Sequence, residues 1–303
     1  MTAAIGVLCE RKRVEEKQVI QVLADAGVPA VPVPPAALPL PVVPFAPAPQ
    51  VAAAFGATMP VVVDRCQDRA VASAVLPLWQ GTGAVVIGAG IAATGNRLAV
   101  ASALSAAGVP RPATLLVASE EAGLQALETL GYPATLLPLT VGAAPVPLLD
   151  RDAAEAVLEH RQTLGGTCEV VGLLQAGTTI GAEHALVIVV GGSAVASRHM
   201  GNETTFGPQA VALAEAAAKA IGADVAGIEL VRTTAGLVVW DVQPVPDFRD
   251  TVPLGDRTAG QAIADLAAMR LIERTAIGAS QPNGAHLGST MRREVTDGVA
   301  LAL

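Results

Sequence analysis

The stretch 225-VAGIELVRTTAGLVVWDVQ-243 decides the fold. Its apolar runs, residues 225–231 and 236–242, are four to eight residues long, rich in β-branched residues and separated by the short segment 232–235, with Gly236 opening the second, so they read as a strand pair. Before it, residues 209–221 form an alanine-rich helix closed by Gly222, and residues 170–175, 184–190 and 194–198 read as strands joined by glycine turns. After it, residues 258–274 predict the last long helix.

Further from that core, helices are expected over residues 96–108, 119–131 and 150–164, and strands over 113–118 and 134–139. The first ninety residues read as a small α/β unit: a strand at 4–8, a helix at 15–26 closed by Gly27, and strands at 59–64 and 83–87 joined through a helix at 68–79. Nine prolines between residues 29 and 49 exclude a regular helix there and permit only an edge strand or an extended loop.

Composition narrows the function classes. A chain of 303 residues with 52% hydrophobic content can build one large or several small cores. A formal net charge of −8, with Arg11-Lys12-Arg13 as the sole basic cluster, argues against nucleic acid, which needs clustered cations to displace counterions. Aromatic residues make up only 2%, leaving little material for base stacking. No apolar run reaches the ~18 residues of a membrane span, and Glu10-Arg11-Lys12-Arg13 interrupts the start before a signal-peptide core can form, so a cytoplasmic protein is expected. Cys9, Cys66 and Cys168 lie far apart and read as buried free thiols, and His160, His184, His199 and His286 lack metal-ligand spacing.

Several strings together resemble the RimK-type ATP-grasp ligases, and the LysX ligases of lysine biosynthesis in particular. They are Asn96-Arg97, the run from Ala107 to Thr114 (AGVPRPAT), Gly131-Tyr132-Pro133, Leu164-Gly165-Gly166, Gly227-Ile228-Glu229-Leu230 and the run from Val239 to Gln243 (VWDVQ). The opening strings Leu8-Cys9-Glu10-Arg11 and Asp64-Arg65-Cys66 extend the likeness to residues 1–275. The resemblance implies an α/β protein with two α+β lobes: an ATP-grasp fold preceded by a small Rossmann-like N-terminal domain. The expected division is residues 1–92, then 93–275 with a central lobe at about 110–172 and a C-terminal lobe at about 173–275, then a flexible tail at 276–303.

The resemblance also implies ATP and Mg2+, because such ligases phosphorylate a carboxylate that an amine then attacks. Position by position, the family's first nucleotide-binding lysine falls on Arg97 and its second on Leu137, and its glycine-rich loop is shortened to residues 141–145. The hinge pair that contacts adenine and ribose falls on Gln175 and Ala176. An arginine falls on Leu186, an arginine pair falls on Met200-Gly201, and an asparagine-bearing loop is deleted around residues 202–208. The metal-holding Asp, Glu and Asn fall on Glu229, Asp241 and Gln243. Two readings follow. One is a degenerate homologue, binding ATP weakly or not at all, that acts as a scaffold or partner subunit in amino-acid biosynthesis. It would be a homo-oligomer, a hetero-oligomer with an active paralogue, or a partner of a small acidic carrier protein. The other is an active carboxylate-amine ligase joining an amino acid to a carrier protein or a peptide C-terminal glutamate.

One competing motif remains. Residues 88–93, Gly-Ala-Gly-Ile-Ala-Ala, follow a strand and match the G-x-G-x-x-A form of a dinucleotide fingerprint. The acid expected about 20 residues later is missing.

Overall fold

The computed structural model describes residues 3–35, 58–140, 144–164, 172–200 and 206–280. The N-terminal unit begins β1 (Ile5–Leu8), α1 (Val14–Asp25) and β2 (Ala30–Val33), and continues through β3 (Val61–Asp64), α2 (Arg69–Gly81) and β4 (Val85–Ile87). Its four strands form a parallel sheet in the order β2-β1-β3-β4. The proline-rich segment therefore supplies an edge strand where it begins, and residues 36–57 lie outside the described residues.

A 3-10 turn (Gly90–Thr94) leads into α3 (Arg97–Ala106), whose N-cap Asn96 accepts the N–H groups of Leu98 and Ala99 through its side-chain oxygen. There follow β5 (Thr114–Val117), α4 (Glu120–Leu130), β6 (Ala134–Pro138), β7 (Val146–Leu148), α5 (Arg151–Leu164) and β8 (Gly172–Ala176). The four strands make an antiparallel sheet in the order β5-β8-β6-β7. One face carries Val117, Leu136, Leu148 and Leu174 into a core with α4 and α5. Alternation turns Thr114, Leu116, Thr135, Leu137, Leu173 and Gln175 to the other face.

The third sheet is the largest. It contains β9 (His184–Val190), β10 (Ser193–Met200), β11 (Val225–Thr233), β12 (Gly236–Gln243) and the short β13 (Val252–Pro253), in the order β12-β11-β9-β10-β13. Between β10 and β11 runs α6 (Pro208–Ala220), and α7 (Ala259–Ser280) is the last element among the described residues. Both faces of the sheet are covered. Ala185, Val187, Val189, Ala226, Ile228 and Leu230 pack under α3 and α6. Ile188, Val190 and Val225 pack against α7, α1 and the N-terminal sheet. Each fully buried branched aliphatic side chain there contributes about 1.5–3 kcal/mol.

The N-terminal unit is joined tightly to this sheet. Arg65 is fully buried: it binds Glu16 at 3.0 Å, donates to the Pro246 carbonyl at 3.0 Å and stacks on Phe248. α7 lies along α1. It runs past residue 274, where the helix was expected to end, and takes up residues 276–280 of the expected tail, while residues 281–303 lie outside the described residues. Among the described residues no helix is long and apolar enough to cross a membrane.

The glycine motif at residues 88–93 is a packing device. The Gly88 carbonyl accepts the N–H groups of Asp224 and Val225, and the Ile91 N–H donates to the Ile221 carbonyl. Gly90 has φ +57°, and a Cβ placed there would collide with the Ile221 and Gly222 backbone. Gly90→Ala is therefore expected to cost at least ~2 kcal/mol, read as a lowered midpoint in urea unfolding. An unchanged midpoint would refute this packing role.

Candidate functional site

The cleft between the central sheet and the large sheet gathers most of the positions singled out in the sequence. Arg97, in the first turn of α3, binds Asp241 of β12 at 3.0 Å, and its Nη1 donates to the carbonyls of Pro138 at 2.9 Å and Thr140 at 3.2 Å. One guanidinium thus ties α3, the end of β6 and β12 together. Glu229 stands opposite Asp241 in the β11–β12 register, and the Gln243 side-chain amide donates to its carboxylate. Burial raises the Glu229 carboxyl above its ordinary range, and the neighbouring Asp241 charge adds to the shift.

The hinge positions are occupied from within. Gln175 is 0% exposed; its amide nitrogen donates to the Trp240 carbonyl at 3.3 Å and its oxygen accepts from Arg111 at 3.3 Å. The Ala176 N–H donates to the Ala113 carbonyl and its side chain brings no polar group. Trp240 is the extra residue where the β11–β12 register shifts, and its ring closes over Gly177 in a cluster with Val231 and Val238. Leu137 is 1% exposed, beside Leu173 in register on the cleft face, so the floor of the cleft is apolar and covered.

Across the large sheet the registers align Asp241, Glu229, Leu186 and Arg198 in one row. Leu186 is buried in the core shared with α7. Met200 ends β10, while Gly201, residues 202–205 and residues 141–143 of the shortened loop lie outside the described residues, as does Cys168. Cys9 and Cys66 are buried and free of disulfides, and burial raises both thiols. Sequence reasoning assigned no role to Arg111, Arg198 or Trp240. The signal for Trp240 was present: Val238, Val239 and Trp240 are apolar in succession, where a regular strand alternates.

In the N-terminal sheet, at the carboxyl ends of β1 and β3 where the strand order reverses, an exposed carboxylate takes the local N–H donors. Parallel sheets bind phosphate at such points. Here Glu10 accepts the N–H groups of Asp68 at 2.8 Å and Gln67 at 3.1 Å, and the Cys66 thiol at 3.0 Å. Burial opposes its ionisation, but the Asp68 N–H and the other donors lower its pKa to about 2. A side-chain carboxylate holds the place of an anion.

No protein-family model matches the chain. Among solved structures, it is similar to a RimK domain ATP-grasp protein from Sphaerobacter thermophilus, at 28% identity and TM-score 0.71, over 88% of this chain and 100% of that one. The chain has the ATP-grasp fold. The ATP-grasp ligase PsnB, complexed with a precursor peptide and AMPPNP, shares the fold at 17% identity and TM-score 0.64, over 89% of this chain and 99% of that one. So does D-alanine--D-alanine ligase from Bacillus anthracis complexed with ATP, at 14% identity and TM-score 0.63, over 91% of this chain and 100% of that one.

Within the ATP-grasp frame, the groups at the expected metal positions are engaged by neighbouring side chains. Mg2+ calls for near-octahedral oxygen coordination. Here one carboxylate of the pair is engaged by a guanidinium and the other by an amide, and no cluster of three or more His, Cys, Asp or Glu among the described residues is arranged to hold a metal. The raised Glu229 carboxyl has a consequence for stability. A folded-state pKa above the unfolded one gives stabilisation that is present below the unfolded value and lost as pH rises through the folded value. Glu229→Gln is therefore expected to raise the unfolding temperature at neutral pH, with the gain shrinking as pH falls towards the ordinary carboxyl value of 4.5. A pH series of thermal melts checks this, and a gain that grows on acidification would contradict it.

Proposed function

We propose that this chain is a degenerate RimK-type ATP-grasp protein, LysX-like in descent, that serves as a scaffold or partner subunit in amino-acid biosynthesis. The observation that carries the reading is the bridge from Arg97 to Asp241. The one cation kept at a family nucleotide position is spent on a carboxylate at a family metal position. Leu137 supports it, because an apolar side chain at that point offers a phosphate no countercharge, and catalysis of phosphoryl transfer rests on such charges. The buried hinge, with Gln175 held by Trp240 and Arg111, supports it further.

A scaffold role fits the rest of the molecule, since the changes fall in the cleft while both sheets around it keep dense apolar cores. An active paralogue of the same fold is the partner we favour. A net charge of −8 sets up repulsion against a small acidic carrier protein. The pairing of Glu229 with Asp241 is what an active ligase would retain, and that reading is the opposing outcome of the test.

The test is calorimetric titration of the full chain with AMPPNP at millimolar Mg2+, repeated after EDTA. No heat is expected up to millimolar nucleotide, which corresponds to a binding free energy weaker than about −4 kcal/mol. Metal-dependent binding in the micromolar range, lost in Arg97→Ala, would overturn the proposal in favour of an active ligase.

A further inference from the structure

A second concavity lies outside the closed cleft. It is a groove of about 830 Å3 between α3 and the edge of the central sheet. Its wall is the α3 face bearing Leu98, Ala101, Ser102 and Ser105, which the helical period places on one side. Its floor is Leu116 of the edge strand β5 with its register partner Leu173 of β8. Leu116 is 52% exposed, and Ser102, Ser105, Thr114 and Arg111 place polar groups along the same groove. Arg97, Leu137, Glu229 and Asp241 do not line this groove, which adjoins the cleft described above at Leu173 and Arg111.

Arg111 lines the same groove. Its Nε is sealed from solvent and has no hydrogen-bond partner, and its Nη2 reaches only the neutral Gln175 oxygen at 3.3 Å. No carboxylate among the described residues forms an ion pair with it; the nearby Asp241 is taken by Arg97. A guanidinium presents up to five donors in a planar fork suited to carboxylate or phosphate, and a desolvated charge without a counterion is costly. A groove with an apolar floor beside an unsatisfied cation has the chemistry of a site for an amphiphilic anion.

We propose that this groove binds a small amphiphilic anion, a carboxylate or phosphate monoester with a linear apolar body, whose head pairs with Arg111 and whose body lies along Ala101, Leu116 and Leu173. The proposal does not rest on the degenerate reading, although Arg111 also holds the hinge residue Gln175. Burial along Leu116 and Leu173 supplies affinity, while Arg111 supplies the requirement for charge.

The test uses the full chain and three probes: octanoate, octyl phosphate and the neutral octanamide, each followed by calorimetry and saturation-transfer NMR. At least one anion is expected to bind, with octanamide weaker by roughly tenfold or more. The tighter of the two anions identifies the headgroup. Arg111→Gln is expected to weaken the anions by roughly tenfold while leaving octanamide unchanged. Ser102→Phe, at an exposed helix position on the groove wall, fills the trough without touching the cation and is expected to abolish binding of all three. Thermal melts establish that both variants fold. Octanamide binding as tightly as the anions, anion binding that survives both substitutions, or no signal from either anion at millimolar concentration would overturn the proposal.

Discussion

The Arg97 guanidinium sets the geometry on which the cleft depends. Its donors meet a carboxylate on β12 and two carbonyls at the end of β6, so the first turn of α3, the central sheet and the large sheet are registered against one another at a single group. The pair is almost wholly buried, with side-chain exposures of 7% and 15%, and removing one member of such a pair typically costs about 3–5 kcal/mol because the other is left uncompensated. With the start of α3 pinned, Val100 and Leu104 enter the core beneath the large sheet, and the opposite face of the helix becomes a wall of the outer groove. The cleft and the groove are two results of one anchored helix.

Packing follows from how few large side chains the chain has. α6 meets the large sheet through Ala210, Ala214, Ala217 and Ala218, which let the helix backbone approach closely. Bulk is then supplied at isolated points by tryptophan. Trp79 fills the core between α2 and the N-terminal sheet, and Trp240 covers the hinge. At the hinge the Trp240 ring and the buried Leu137 and Leu173 take neighbouring groups out of solvent, which raises the cost of an unpaired charge beside it. Arg111 is the residue where that cost is visible.

Much of the fold was legible from period and punctuation. The apolar run at residues 184–190 is a strand buried on both faces, and Asn96, Ser119 and Asp68 cap the helices they were expected to introduce. What was missed is short or set by distant contacts. β7 is three residues inside a glycine- and proline-rich stretch, the 3-10 turn at residues 90–94 exists because Gly90 fits against Ile221, and α7 continues past Gly278. The site was legible only as positions. Arg97, Glu229 and Asp241 could be singled out by likeness to a family, but that Arg97 meets a residue 144 positions away is a property of the closed lobes. The same holds for Arg111, an unremarkable residue of a turn until Gln175 and α3 enclose it.

Arg65 gives the N-terminal unit a bearing on how this architecture changes over generations. Its charge is shared among Glu16, the Pro246 carbonyl and the ring of Phe248, and α7, the last helix, rests on α1, the first. The N-terminal unit thus packs against Pro246, Phe248 and α7 of the same chain. Gene shortening, shuffling or fusion that replaced this unit would take Arg65 with it, leave the Pro246 carbonyl and the Phe248 ring without their partner, and strip the inner face of α7. The N-terminal unit and α7 must therefore be inherited together.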